Sequence, residues 1–282
     1  MVSLEMPHWA ISSWVLLGVG AAACASVMLA LWWLGIVKRN FSYVDIGWSA
    51  NFALLALLYG LLGAGDPVRR VLICLMYGIW STRLALHLTR RIVGEPEEGR
   101  YVKLRQDWGG SGNLNLKFLG FFEFQALLNA VLSLPMLLAV MNTATGLHPL
   151  EVLGVAVWLA ALLGESVADA QLARFKRDPS SKGKVCRVGL WGVSRHPNYF
   201  FEWLIWIAYA LFAFTSPYGW IALAMPVLML HFLINVTGVK ATEAQALSSK
   251  GAAYRHYQLS VSAFIPWFPK KIPTGANANG PA

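Results

Sequence analysis

Seven stretches of the chain are apolar over close to the length that a helix needs to cross a bilayer, about 20 residues. They cover residues 9–37, 46–63, 68–89, 118–141, 149–172, 199–216 and 218–236. The pattern predicts an all-α integral membrane protein with seven transmembrane helices. The first stretch is too long for a signal peptide, and Glu5 stands where a basic leader would be. No repeat or linker divides the chain, so residues 1–271 read as a single domain and residues 272–282 as a disordered tail.

Polar positions give the orientation. All of the 23 Lys and Arg residues except Arg69, Arg70 and Arg83 fall in residues 38–45, 90–117, 174–198 or beyond 237. Short loops rich in Lys and Arg face the cytosol, which puts the N-terminus outside and the C-terminus cytosolic. Charged residues are 13% of the chain, against about a quarter in soluble domains. The net charge of +9 therefore follows from topology and predicts no nucleic-acid partner. Cys24 and Cys74 lie in spans and Cys186 in a cytosolic loop, a placement that predicts no disulfide framework.

Ionisable residues inside spans are costly and point to function. Here they are Arg83 and His87, Glu123, Glu165 and Asp169, Glu202, and His231, with Asp45 at the mouth of the second span. With the orientation above, each falls in the cytosolic half of the membrane, which predicts a polar cavity open to that side. Snorkelling of single groups to the headgroup layer is the alternative. Glu165/Asp169 and Arg83/His87 are each spaced i, i+4 and share a helix face. No metal site is predicted.

The stretch GLWGVSRHPNYFFEW (189–203) precedes and opens the sixth span. Pro197 suits the first turn of a helix, and Ser194 or His196 can cap it. The loop before it carries Arg174, Lys176, Arg177, Lys182, Lys184, Arg187 and Arg195, interleaved with Gly183, Gly189 and Gly192. Such a loop fits anionic lipid headgroups or a cofactor with several phosphates. Asn198 can donate and accept, and Glu202 can accept from a hydroxyl or an amide.

The strings SRHPNYFFEW, ESVADAQLARFKRDP and KGAAYRHYQLSVSAFIPWF resemble the C-terminal half of the steroid 5α-reductase family, over roughly residues 160–270. YVDIGW and RRIVGEPEEGRY resemble its bacterial branch. The resemblance implies a bacterial inner-membrane protein of seven helices that binds NADPH from the cytosol. It also implies reduction of the C4–C5 double bond of 3-oxo-Δ4-steroids or a similar small apolar enone, met within membrane lipid. Carried over by position, it assigns NADPH contacts to Asp169, Lys176, Lys184, Asn198 and Glu202. Glu165, Arg174, Arg177, Arg195, His196 and Tyr199 are then neighbours of that site. The family grips the carbonyl with a Glu on the second helix and a Tyr on the third. The counterparts here are Asp45, with Tyr77 nearby and Trp80 in the tyrosine's place. A protonated carboxyl beside a ring donor in a dry pocket stabilises the enolate oxygen as hydride reaches the β-carbon. Trp48, Phe52 and Glu123 are candidates to line the substrate slot.

RHPNY is also similar to membrane methyltransferases of the isoprenylcysteine and phospholipid type, which bind S-adenosylmethionine. Those carry a paired Glu-Glu on the last helix, where this chain has Thr242-Glu243-Ala244. A lipid-binding or transport protein without catalysis is the third reading. The oligomeric state is not legible.

Overall fold

In hydrocarbon every backbone N–H and C=O must find a partner within its own segment, so apolar runs become helices. The computed structural model describes residues 12–110, 112–236 and 238–270, and the tail predicted at 272–282 lies outside them. Ten α-helices follow along the described chain: α1 (Ser13–Lys38), α2 (Tyr43–Leu62), α3 (Pro67–Ile92), α4 (Gly99–Trp108), α5 (Leu114–Leu132), α6 (Leu134–Val140), α7 (Pro149–Arg177), α8 (Pro197–Ala213), α9 (Ala224–His231) and α10 (Val239–Ser260). Side-chain caps start several of them: Ser12 accepts from Val15, Asp66 from Arg69, and Asn113 from Asn115 and Leu116.

Five helical segments are long and apolar enough to cross a membrane, and six if the bent pair α5–α6 is one span. The chain is a multi-pass membrane protein. The predicted span 118–141 is broken at Ser133, with a bend of about 40° between α5 and α6. Pro135 sits in the first turn of α6, where it cannot donate to a preceding carbonyl. The span predicted at 199–216 is a helix of 17 residues, at the short end of what crosses a bilayer. The run predicted at 218–236 is a 3-10 turn (Gly219–Leu223), α9 and a π-helical turn (Phe232–Val236). Residues 90–117 and 239–260, read from the sequence only as cytosolic segments, hold α4 and α10.

The chain forms two compact units. The first comprises Met1–Glu151 and Phe212–Ala222, the second Val152–Leu211 and Leu223–Ala282. Within the first, α2 packs on α3 and α1, while α5 packs on α1 and α2. Polar side chains fasten these helices. Asn51 donates to Asn129 Oδ1 at 2.9 Å, and Asn129 donates to the Trp48 carbonyl at 2.9 Å. Ser81 donates to the Ser49 carbonyl at 2.5 Å. Each such bond between membrane helices contributes about 0.6 kcal/mol.

One ionic node in this unit is buried outright. Arg69, 2% exposed, pairs through Nε with Glu151, 0% exposed. Its other donors reach the carbonyls of Asn142 (3.2 Å), Ala144 (2.6 Å) and Gly146 (2.6 Å). Glu151 in turn accepts from the His148 N–H at 2.7 Å. The guanidinium thus gathers the 142–146 turn around itself, and each group of the pair is satisfied.

In the second unit, Tyr254, Tyr257 and Val261 form a small core with Val185, Ala246 and Leu247 packed against it. Phe264, beyond α10, packs edge-on against Phe200 and tilted against Trp203 of α8, with centroids 5.9 Å away in each case. Gly251 interrupts α10 at φ 51, ψ −127, a backbone conformation that side chains with a Cβ rarely take.

Candidate functional site

The start of α8 is held from three directions. Gly189 takes φ 56, so the turn Gly189–Gly192 lies close against Gln171 of α7. Gln171 Oε1 accepts from Leu190 N at 2.9 Å, and Trp191 Nε1 donates to the Ala168 carbonyl at 2.9 Å. Ser194 Oγ donates to the Phe264 carbonyl (2.8 Å) and accepts from His196 N (3.2 Å). Arg195 N donates to the Ser262 carbonyl at 2.8 Å.

Arg195 and His196 turn toward the protein's own carboxylate. Arg195 Nε donates to Glu243 Oε1 at 2.6 Å, and its NH1 donates to the carbonyls of Gln258 (2.9 Å) and Val261 (2.6 Å). His196 Nε2 lies 3.3 Å from the same Glu243 oxygen, and Gln258 Nε2 donates to the other at 2.9 Å. The His196 ring stacks on Tyr199 at 5.5 Å. The sequence placed Arg195 and His196 beside a cofactor, and the structure gives both to a clasp between the α8 start and α10. Glu243 was invisible as a partner because it lies 48 positions from Arg195. Glu243→Ala is expected to lower stability by about 2–3 kcal/mol, since it leaves a largely buried guanidinium without its anion. Thermal unfolding in detergent measures this, and an unchanged midpoint would show that the clasp is idle.

Beyond the clasp, two helix faces meet. Glu165 and Asp169 share one face of α7, and Asn198 and Glu202 share one face of α8. The helices approach closely because Gly164 has no side chain: a Cβ there would overlap the Phe201 ring. Asn198 Nδ2 donates to Asp169 Oδ1 at 3.3 Å. Glu202, 8% exposed, accepts from Trp206 Nε1 at 2.9 Å, and Glu165 is 6% exposed. Asn198 Oδ1 is buried with no hydrogen-bond partner among the described residues. A buried acceptor left without a donor costs about 1–3 kcal/mol, so it marks a place where a ligand's N–H or O–H would be gained.

Arg174 and Lys176 at the end of α7, and Lys184 beyond it, are exposed and make no ion pair among the described residues. Cations in that state suit phosphate oxygens. Cys186 nearby is buried, and burial pushes its thiol up, away from the reactive thiolate.

The substrate-side candidates lie in the first unit. Asp45 is held by two partners: Oδ2 is paired with Arg100, and Oδ1 accepts from the Tyr101 hydroxyl at 2.7 Å. Tyr101 was missed, although the quoted string RRIVGEPEEGRY ends on it. Burial pushes its phenol well above the ordinary value, and the Asp45 charge pushes it further, so it stays protonated. The Tyr77 hydroxyl donates to the Leu132 carbonyl at 3.2 Å. Trp80 and Phe52 are fully buried and pack with Trp48 and Tyr77 at centroid distances of 5.2–6.3 Å. That packing makes an aromatic core where a slot was expected, with only Trp48 partly exposed. Glu123 is partly exposed on α5.

Residues 31–261 match the family described as "Protein of unknown function (DUF1295)". An uncharacterized protein of Schizosaccharomyces pombe is 27% identical over 269 residues, an alignment that covers 84% of this chain and 75% of that protein.

Proposed function

The chain belongs to the DUF1295 family, and on that premise we propose that it is an NADPH-dependent membrane reductase acting on the C4–C5 double bond of a 3-oxo-Δ4-steroid or a similar enone lipid. The observation that carries this reading is the buried, partnerless Asn198 Oδ1, set beside Asp169 and on one face with Glu202. A carboxamide N–H satisfies that acceptor, and a carboxylate such as Glu202 accepts from ribose hydroxyls. Arg174, Lys176 and Lys184 hold the phosphates as point charges and forks at the end of α7. When bound, NADPH supplies the hydride for the β-carbon of the enone. In this reading α8 completes the count of spans to seven, with the N-terminus outside and the cofactor residues toward the cytosol, as the basic segments require.

Asp45 and Tyr101 take the part first given to Asp45 with Tyr77 or Trp80. Tyr101 stays protonated; its single O–H donates to Asp45 Oδ1 in this structure and would turn to the carbonyl oxygen as negative charge develops there, with Asp45 held in place by Arg100. The test of the whole reading is purified protein with NADPH and a 3-oxo-Δ4-steroid. The expected results are quenching of NADPH fluorescence, a product two hydrogens heavier, and stabilisation of about 2.7 kcal/mol at a hundredfold excess over Kd. Absence of all three removes it.

A second reading rests on Glu243. The methyltransferases that RHPNY resembles bear acidic residues on their last helix, and here Glu243 of α10 binds both Arg195 and His196. Stabilisation by S-adenosylmethionine and not by NADPH would select it. The exposed cations at the end of α7 favour the reductase, because the methyl donor carries no phosphate.

A further inference from the structure

A groove of about 420 Å³ lies in the second unit between the end of α10 and the loop that bears Arg187, and it shares no residue with the proposed cofactor face. Arg187, His256 and Lys270 line it with Gly192, Ser260, Val261 and Pro269, and no carboxylate is among the lining residues. The three basic side chains come from distant parts of the chain, brought together by backbone bonds: Trp267 N donates to the Val193 carbonyl at 2.9 Å, and Lys270 N donates to the Ser260 carbonyl at 2.8 Å.

Arg187 is preorganised there. One NH2 donates to Ser260 Oγ at 2.8 Å and lies 3.2 Å from His256 Nδ1, while the guanidinium stands 5.1 Å over the Tyr257 ring. These contacts fix the cation yet neutralise none of its charge. Around the groove the surface is greasy: Val188 is 56% exposed, Leu259 59%, Trp267 67% and Phe268 82%. Exposed aromatics next to basic residues are the signature of a membrane interface, where rings sit at headgroup depth and cations meet lipid phosphate.

We propose that this groove binds the phosphate of an anionic phospholipid, with Arg187 and Lys270 as its cations, His256 as a further polar wall, and Trp267 and Phe268 dipping into the acyl boundary beside it. A phosphate diester with a small polar head is the chemical class, and the apolar rim favours lipid over free phosphate. Such a site fastens the segment after α10 to the bilayer surface.

The experiment uses the full-length protein in detergent, titrated with phosphatidylglycerol, with phosphatidylcholine and with inorganic phosphate. Bound lipid is read by native mass spectrometry and stability by thermal unfolding. Phosphatidylglycerol is expected to bind and stabilise in preference to phosphatidylcholine, and inorganic phosphate to give no comparable effect. Lys270→Gln is the first variant, because its exposed side chain holds no other structure together. It should weaken phosphatidylglycerol about fivefold, the effect of one basic residue near an anionic surface. Arg187→Gln should weaken it at least as much. Undiminished preference for phosphatidylglycerol in Lys270→Gln would overturn the site. Equal stabilisation by inorganic phosphate, lost in the variants, would assign the groove to a soluble anion and overturn the lipid.

Discussion

Asn198→Ala is expected to weaken NADPH binding about tenfold or more while the protein still inserts and melts as the wild type does. The side chain carries one modest hydrogen bond at 3.3 Å to Asp169 and one buried oxygen with no partner. Removing it therefore subtracts little from the apo protein, and stability even gains where an orphaned acceptor is deleted. Against a ligand the balance reverses. A hydrogen bond to the oxygen and the positioning of Asp169 are both lost, and a neutral bond of this kind contributes about 0.5–1.5 kcal/mol, one to a charged group about 1.5–3 kcal/mol. Glu202→Ala should do the same with a larger structural cost, because Trp206 Nε1 loses its acceptor. Fluorescence titration gives Kd, and the thermal midpoint without ligand separates binding from folding. An unchanged Kd in both variants would detach these residues from the cofactor.

The largest loss of stability is expected at Arg69. Arg69→Ala leaves Glu151 fully buried without its cation and strips three carbonyls of the 142–146 turn of their donor. Breaking a buried pair by removing one partner costs about 3–5 kcal/mol. Glu151→Ala should cost a comparable amount, since the guanidinium is then the unmatched charge and His148 N loses its acceptor. The double variant Arg69→Ala/Glu151→Ala should lose clearly less than the two single losses added together. Thermal unfolding of the three variants in detergent measures this cycle. Additive losses would mean that the two side chains act independently and that the pair is incidental.

What was legible in the sequence follows from the bilayer. Where a run was uniformly apolar, as over α1, α2, α3 and α7, the helix appeared within a few residues of its predicted place, because lipid leaves the backbone no other partner. The irregularities lie where another force competes. Pro135 breaks the fourth run, and the last apolar run is divided by 3-10 and π turns that hydropathy cannot register. The polar helices α4 and α10 gave no apolar signal at all, and both supply side chains that matter: Tyr101 and Arg100 to Asp45, Glu243 and Gln258 to the RHPNY stretch. For the site, i, i+4 spacing was enough to put Glu165 and Asp169 on one face of α7, a local fact, whereas Asp169 and Asn198, 29 positions apart, were grouped only by the family resemblance. Pairings across 48 or 56 positions, such as Arg195 with Glu243 and Asp45 with Tyr101, depend on packing that a single sequence does not display.

The clasp at the start of α8 has a consequence for the order in which the protein is made. Residues 194–198 leave the ribosome long before Glu243, Gln258, Val261, Ser262 and Phe264, the groups that hold Ser194, Arg195 and His196 in place. During synthesis, Arg195 therefore waits at the edge of the inserting helices without its anion. The motif becomes a defined shape only after α10 and the segment behind it have been translated and have folded back, so assembly of this site is a late, post-insertion event.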